Sequence, residues 1–327
     1  MKRGRIIATC ISVAVAGAVL ATFALQNRGP LNRGRTVNSW LRQVFDPSRS
    51  QGEALQALRE MGAQAVPFEI RALTQSDSAL FRWYQGVYRK LPFRKCLPQP
   101  VAAETIRSAA GLALLNNPHT AEFIHDVMPA LKHEDPKVRS SASGILLNQI
   151  RAKDTFCIPV LIEALNDPQP SVRRNMALVL ARFGPAAKAA VPALEKGLNA
   201  DLVQLRIDCA RALSVIDTNT ASVTKPVLKE ALGDSDPRIR HWAAVYLSHI
   251  DVEDQQVVPV FIDSLTNSDT GIRMSAAYSL MPFGSKANSA VPGLIRALSD
   301  PEASVREAAR AALKRIDPEG AANSGVK

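Results

Sequence analysis

The side chains best able to do chemistry in this 327-residue chain are few and scattered. His119, His125, His133, His241 and His249 form no HExxH pair and no Cys/His box with the spacing of a zinc site. Cys10, Cys96, Cys157 and Cys209 show neither CxxC spacing nor a pairing pattern, so no structural disulfide is expected, and Cys209 reads as a small buried core residue. No GxxxxGK[ST], GxGxxG or GxSxG occurs, so neither a phosphate-cradling loop nor a nucleophile elbow is encoded. The reading is a chain with no catalytic residue, no cofactor and no metal: not an enzyme.

Two clusters remain that could bind. Between Phe81 and Cys96 lie Arg82, Arg89, Lys90, Arg94 and Lys95 with five aromatics and no acid. Residues 1–100 hold fifteen Lys and Arg against five Asp and Glu, whereas 101–327 hold twenty-five of each, so the net charge of +10 resides in the first hundred residues. This cluster reads as a helix packing its aromatics, as contact with anionic lipid or a partner, or as a nucleic-acid site built from stacking and cations. In the second cluster Trp242, Tyr246 and His249 stand at i, i+4 and i+7, one face of a helix, and Met274 and Tyr278 follow a period later. It is either a partner-binding surface of the composition enriched in interfaces or packing between successive units.

The elements that must carry these residues are set by a repeat. Arg107, Arg139, Arg173, Arg206, Arg240, Arg273 and Arg306 each follow an aliphatic residue, at spacings of 32, 34, 33, 34, 33 and 33. Pro129, Pro159, Pro192, Pro226, Pro259 and Pro292 run in step. Each period reads as two helices: one with proline near its first turn, a break often made by Asp-Pro as at Asp135-Pro136 and Asp236-Pro237, and a second starting at the Val-Arg pair. The second carries apolar residues three, seven and ten positions after the arginine, as Ala243, Leu247 and Ile250 do after Arg240. Gly184, Asp217, Asp251, Gly284 and Asp317, eleven positions after it, suit its end. Lys229 falls on a solvent face.

This pattern resembles the HEAT repeat family, over about residues 36–317 and most closely from Glu122 onward. The resemblance implies an all-α, right-handed α-solenoid of about eight helix pairs, with an irregular insertion at about 75–100. It also implies a structural ladder linking neighbouring units, made here of Arg139, Arg173, Arg206, Arg240, Arg273 and Arg306 with Asp135, Asp167, Asp201, Asp236, Asp269 and Asp300. Each arginine has an aspartate four to six residues earlier and is expected to be neutralised by it. The di-iron hydroxylases of this architecture need several His-Glu dipeptides, and His133-Glu134 is the single one here.

Residues 6–25 are twenty residues without a charge, behind Lys2, Arg3 and Arg5, and match a bilayer core of roughly 30 Å. The expected organisation is a signal anchor or signal peptide at 1–28, a linker at 29–35, the repeats, and a disordered tail at 318–327. The function expected is a scaffold or adaptor for a protein partner, membrane-anchored through residues 6–25 with its repeats extracytoplasmic, or secreted if the signal is cleaved. A nucleic-acid-binding array and a bilin-lyase-like subunit are the alternatives, and neutral repeats disfavour nucleic acid.

Overall fold

This computed structural model of the chain describes residues 29–46, 50–88, 90, 100–252 and 254–323, with side-chain surroundings to residue 320. The apolar run at 6–25 therefore lies outside the described residues, and among those described no helix is long and apolar enough to cross a membrane. The described residues form an all-α array of helix pairs in two compact units, divided between Cys157 and Ile158.

The local signals act as the repeat requires. At Asp135, Asp236 and Asp269 the backbone is extended and the carboxylate accepts hydrogen bonds from amides of the first turn of the helix that follows, satisfying donors that have no partner within the helix. Helices therefore start two residues before each Val-Arg pair, at Pro136–Gln149, Pro237–Ile250 and Thr270–Leu280. Gly62, Gly184 and Gly284 close their helices with φ of 60°, 53° and 52°, a region costly for any residue with a Cβ.

The first unit stacks three helix pairs: Val37–Gln43 with Gln51–Glu60, Val66–Leu73 with Ala103–Asn116, and the short Ile124–Val127 and Met128–Lys132 turns with Pro136–Gln149. The stretch expected as a linker instead forms a two-stranded antiparallel hairpin, Leu31↔Thr36 and Asn32↔Arg35. Its turn residues Arg33 and Gly34 both have positive φ, matching the twist of a two-residue hairpin. Asn32 fastens it, donating from Nδ2 to Ala57 O at 3.1 Å and accepting from Trp40 Nε1 at 3.1 Å. The insertion holds a helix of its own, Ala79–Tyr88.

The second unit stacks five pairs: Ile158–Ala164 with Pro170–Arg182, Val191–Gly197 with Val203–Ile216, Ala221–Ala231 with Pro237–Ile250, Val257–Ser264 with Thr270–Leu280, and Val291–Ala297 with Ala303–Ile316. Pro226 falls inside its helix and not in the first turn, because the Thr218–Thr220 turn runs directly into that helix and starts it five residues earlier. Pro318–Asn323 is helical where a disordered tail was expected, and 324–327 lie outside the described residues. Ala243, Leu247, Ala309 and Leu313 are buried as the register demands, each leucine contributing roughly 1.5–3 kcal/mol. Cys209 is buried too, against Gly197, where any Cβ would collide with its sulfur. Burial pushes its thiol up to about 12.

The arginine ladder is built differently from the sequence expectation. From Nη1, Arg139, Arg173, Arg206, Arg240, Arg273 and Arg306 each donate to the carbonyl six residues earlier. All but Arg206 also reach the carbonyl five residues earlier. The acids come from the following repeat: Asp135 for Arg107 at 2.6 Å, Glu230 for Arg206 at 3.2 Å, Asp263 for Arg240 at 3.0 Å, and Asp300 for Arg273. At Asp135, Asp236 and Asp269 one carboxylate oxygen caps the helix that follows, and at Asp135 the other oxygen is the one that Arg107 of the preceding repeat engages.

Candidate functional site

The second-helix face of the C-terminal unit gathers the large side chains that sequence reading singles out. Trp242 and Tyr246 project from Pro237–Ile250 one turn apart and stack, ring centroids 6.0 Å apart and 26° from parallel. They part in exposure. Trp242 is 37% exposed and Tyr246 only 7%, so the expected open stripe is corrected: its middle member is core. Tyr246 stands six positions after the ladder arginine, where Ala113, Ile145, Val179, Ala212 and Ala312 are buried in five other repeats and Ser279 is half-buried in a sixth. That position belonged to the core register alongside those three, seven and ten after the arginine.

Tyr246 is roofed by charge. The Arg211 guanidinium lies 5.2 Å from its ring centroid, a cation–π contact of about 0.5–2 kcal/mol depending on desolvation. Burial is the main cause raising the Tyr246 phenol, with Arg211 opposing it. Beside it, Asp208 occupies in its own repeat the position that Trp242 occupies in the next. Asp208 is buried and held by Arg174 Nε at 2.8 Å and Gln204 Nε2 at 3.4 Å. Desolvation nonetheless raises its carboxyl above the usual carboxylate range, against the pull of Arg174. His249 is exposed at the helix end, and desolvation, then Arg211, lowers its pKa.

Beneath Trp242 sits His241, a residue sequence reading passed over. It is fully buried, edge-on to Trp242 at 5.2 Å and to Phe261 at 6.0 Å, with Nε2 3.0 Å from Ser275 Oγ of the next repeat. Its Nδ1 has no partner, and burial pushes the imidazole down to about 4, so it is neutral at physiological pH. The sequence signal was its place directly after the ladder arginine, filled elsewhere by Ser108, Ser140, Arg174, Ile207, Met274 and Glu307. On the second helix of the next repeat, Thr270–Leu280, Met274 is half-buried and Tyr278 is 45% exposed.

Of the basic aromatic cluster, Arg82 and Lys90 are exposed, whereas Arg89, Arg94 and Lys95 lie outside the described residues. Among the described residues no three His, Cys, Asp or Glu side chains converge as metal ligands would.

A family described as HEAT repeats matches residues 124–214, 204–281 and 226–314, together more than half of the chain. No curated protein matches it. Among solved structures the chain is similar to an engineered protein determined by the Northeast Structural Genomics Consortium, at 18% identity and TM-score 0.43, covering 89% of this chain and 82% of that one. It is also similar to the complex of CpcE and CpcF of phycocyanin lyase from Nostoc sp. PCC7120, at 17% identity and TM-score 0.47, covering 81% and 96%. Neither likeness carries an argument about function.

Proposed function

Because the chain belongs to the family of HEAT repeats, we propose that it is a non-catalytic scaffold whose second-helix face around Trp242 binds a protein partner. The observation that carries this reading is a large aromatic, 37% exposed, at a position where other repeats place Ala109, Ser141, Asn175, Asp208, Ser275 and Ala308. Small or buried polar residues there leave nothing for a partner to grip. Trp242 is held from below by Tyr246 and His241, so it loses little freedom on binding, and partly exposed tryptophan, tyrosine and arginine are the types that dominate interface energetics.

Residues 6–25, behind Lys2, Arg3 and Arg5, support a chain tethered by an N-terminal membrane anchor with its repeats extracytoplasmic, or secreted after cleavage. Protease added to spheroplasts of the producing cells then digests the repeats without lysis, and full protection until lysis contradicts this orientation.

The binding face is tested by a photo-crosslinking amino acid placed in the full chain at Trp242 or Tyr278, and at exposed Lys196 on a first helix as control. One discrete protein adduct at both face positions, absent at Lys196, is expected. Adducts at all three positions alike, or at none, would overturn the reading.

A further inference from the structure

We propose that the helix Ala79–Tyr88 rests on the surface of an anionic lipid bilayer, with Leu80, Trp83 and Val87 entering the headgroup region. The helix lies between the two helices of the second pair, after Leu73 and before Ala103, where other pairs have a short turn, so the array's repeat does not require it. Its two faces differ. Tyr84 is buried, with the rings of Phe81 and Tyr88 at 6.3 Å and 5.6 Å. Beside this buried edge, at i, i+3 and i+7, stand Leu80, 43% exposed, Trp83, 48% exposed, and Val87, half-buried. A helix that is apolar on its outward face needs something to cover that face.

Three observations select lipid as the cover. Arg82 on this helix and Lys90 just past its end are both exposed, and no Asp or Glu occurs between residues 78 and 103. Basic side chains beside an aliphatic and indole stripe are the pattern of a helix lying in the interface, where the indole occupies the headgroup level and the cations meet anionic phosphates. The whole net charge of +10 lies in the first hundred residues, the same part of the chain. Finally, only residues 26–30 separate the apolar run ending at Leu25 from the hairpin beginning at Leu31, a reach of at most roughly 20 Å. If residues 6–25 span a bilayer, the unit that carries this helix is held against its surface. The surface is independent of the Trp242 face, and neither reading depends on the other.

The test is tryptophan quenching in the full chain, added to or reconstituted with vesicles of brominated phosphatidylcholine with and without brominated phosphatidylglycerol. Of the three tryptophans, Trp40 is buried and Trp242 lies in the other unit. The expected result is quenching in phosphatidylglycerol vesicles that Trp83→Phe removes, and at least fivefold weaker quenching in phosphatidylcholine alone. Arg82→Glu combined with Lys90→Glu should reduce it to a similar degree. Quenching that survives in Trp83→Phe, or that is equal with and without phosphatidylglycerol, or absent from wild type in both vesicles, overturns the proposal. Trp83 is exposed, so circular dichroism of Trp83→Phe should match wild type and keep the comparison interpretable.

Discussion

The guanidinium of Arg273 grips the carboxylate of Asp300 at two points, Nε to Oδ2 at 2.8 Å and Nη2 to Oδ1 at 3.0 Å, across the boundary between successive repeats. Both side chains are largely enclosed, 12% and 9% exposed. Arg273 holds the Asp300 carboxyl below the usual carboxylate range.

Arg273→Gln should therefore destabilise the chain by about 2 kcal/mol, the scale of a charge-assisted hydrogen bond whose partner stays enclosed. Arg273→Lys should recover less than half of that, because an ammonium cannot reproduce the two-point fork. Urea denaturation of the full-length variants decides it. A lysine variant as stable as wild type would mean that charge alone joins these repeats.

Glu69 gives a pH dependence with a defined sign. It is fully buried in Val66–Leu73, neither carboxylate oxygen makes a hydrogen bond, and burial pushes it up to about 8, partly offset by the Asn117 side chain. In the unfolded chain its pKa is about 4.3. The folded form then holds a proton that the unfolded form releases, so stability is fully present below about pH 4, falls as pH rises toward 8, and levels off above. Glu69→Gln removes this loss, and at pH 7 should be more stable than wild type by about 3 kcal/mol. Melting temperatures of the two proteins from pH 5 to 9 should diverge with rising pH, and parallel curves would count against the assignment.

The two readings of Trp242 separate on one variant. Trp242→Ala should cost at least about 2 kcal/mol of partner binding if the indole is an anchor. Because the ring is already 37% exposed, the fold should lose less than the roughly 3–5 kcal/mol of a buried tryptophan. Tyr246→Ala, by contrast, removes a core side chain and should lower the melting temperature strongly. A Trp242→Ala protein that melts early but binds normally would return the residue to inter-repeat packing.

Backbone shape offers a paired test. Gly284 has φ 52° and ψ −136°, a conformation that costs a residue with a Cβ about 1–3 kcal/mol. Gly144, mid-helix in Pro136–Gln149, has open space where a Cβ would go. Gly284→Ala should destabilise, while Gly144→Ala should stabilise by about 0.5–1 kcal/mol. Calorimetry reads both, and equal shifts would contradict the turn geometry.

What could be read in the sequence was whatever the period repeats. The core positions of Ala243 and Leu247, the helix break at Asp236-Pro237 and the turn at Gly284 follow from local rules applied once per 33 residues. What could not be read depended on which neighbour a side chain meets. Lys229 sits where the pattern predicts solvent, yet it pairs at 2.7 Å with Asp254, whose side chain is 8% exposed, so charge reversal there is not innocuous. The acids that serve the ladder come in some repeats from a turn, as Asp135 and Asp300, and in others from a first helix, as Glu230 and Asp263. No fixed spacing announces them. The burial of Tyr246 is hidden for a related reason: its class of position is filled by alanine often enough to conceal that it is core.

The ladder also has a direction. Every arginine clasps carbonyls of its own repeat and, where its acid partner is seen, takes that acid from the repeat that follows. A chain wired this way is a row of plug-and-socket units, each bringing its own socket and the plug for its predecessor. Excising or duplicating one whole period leaves the clasp inside every unit untouched and hands the joint a new acid of the same kind. A cut out of phase would strand a guanidinium on one side and a carboxylate on the other. Growth and loss by whole repeats is thus the change of length this architecture tolerates most readily.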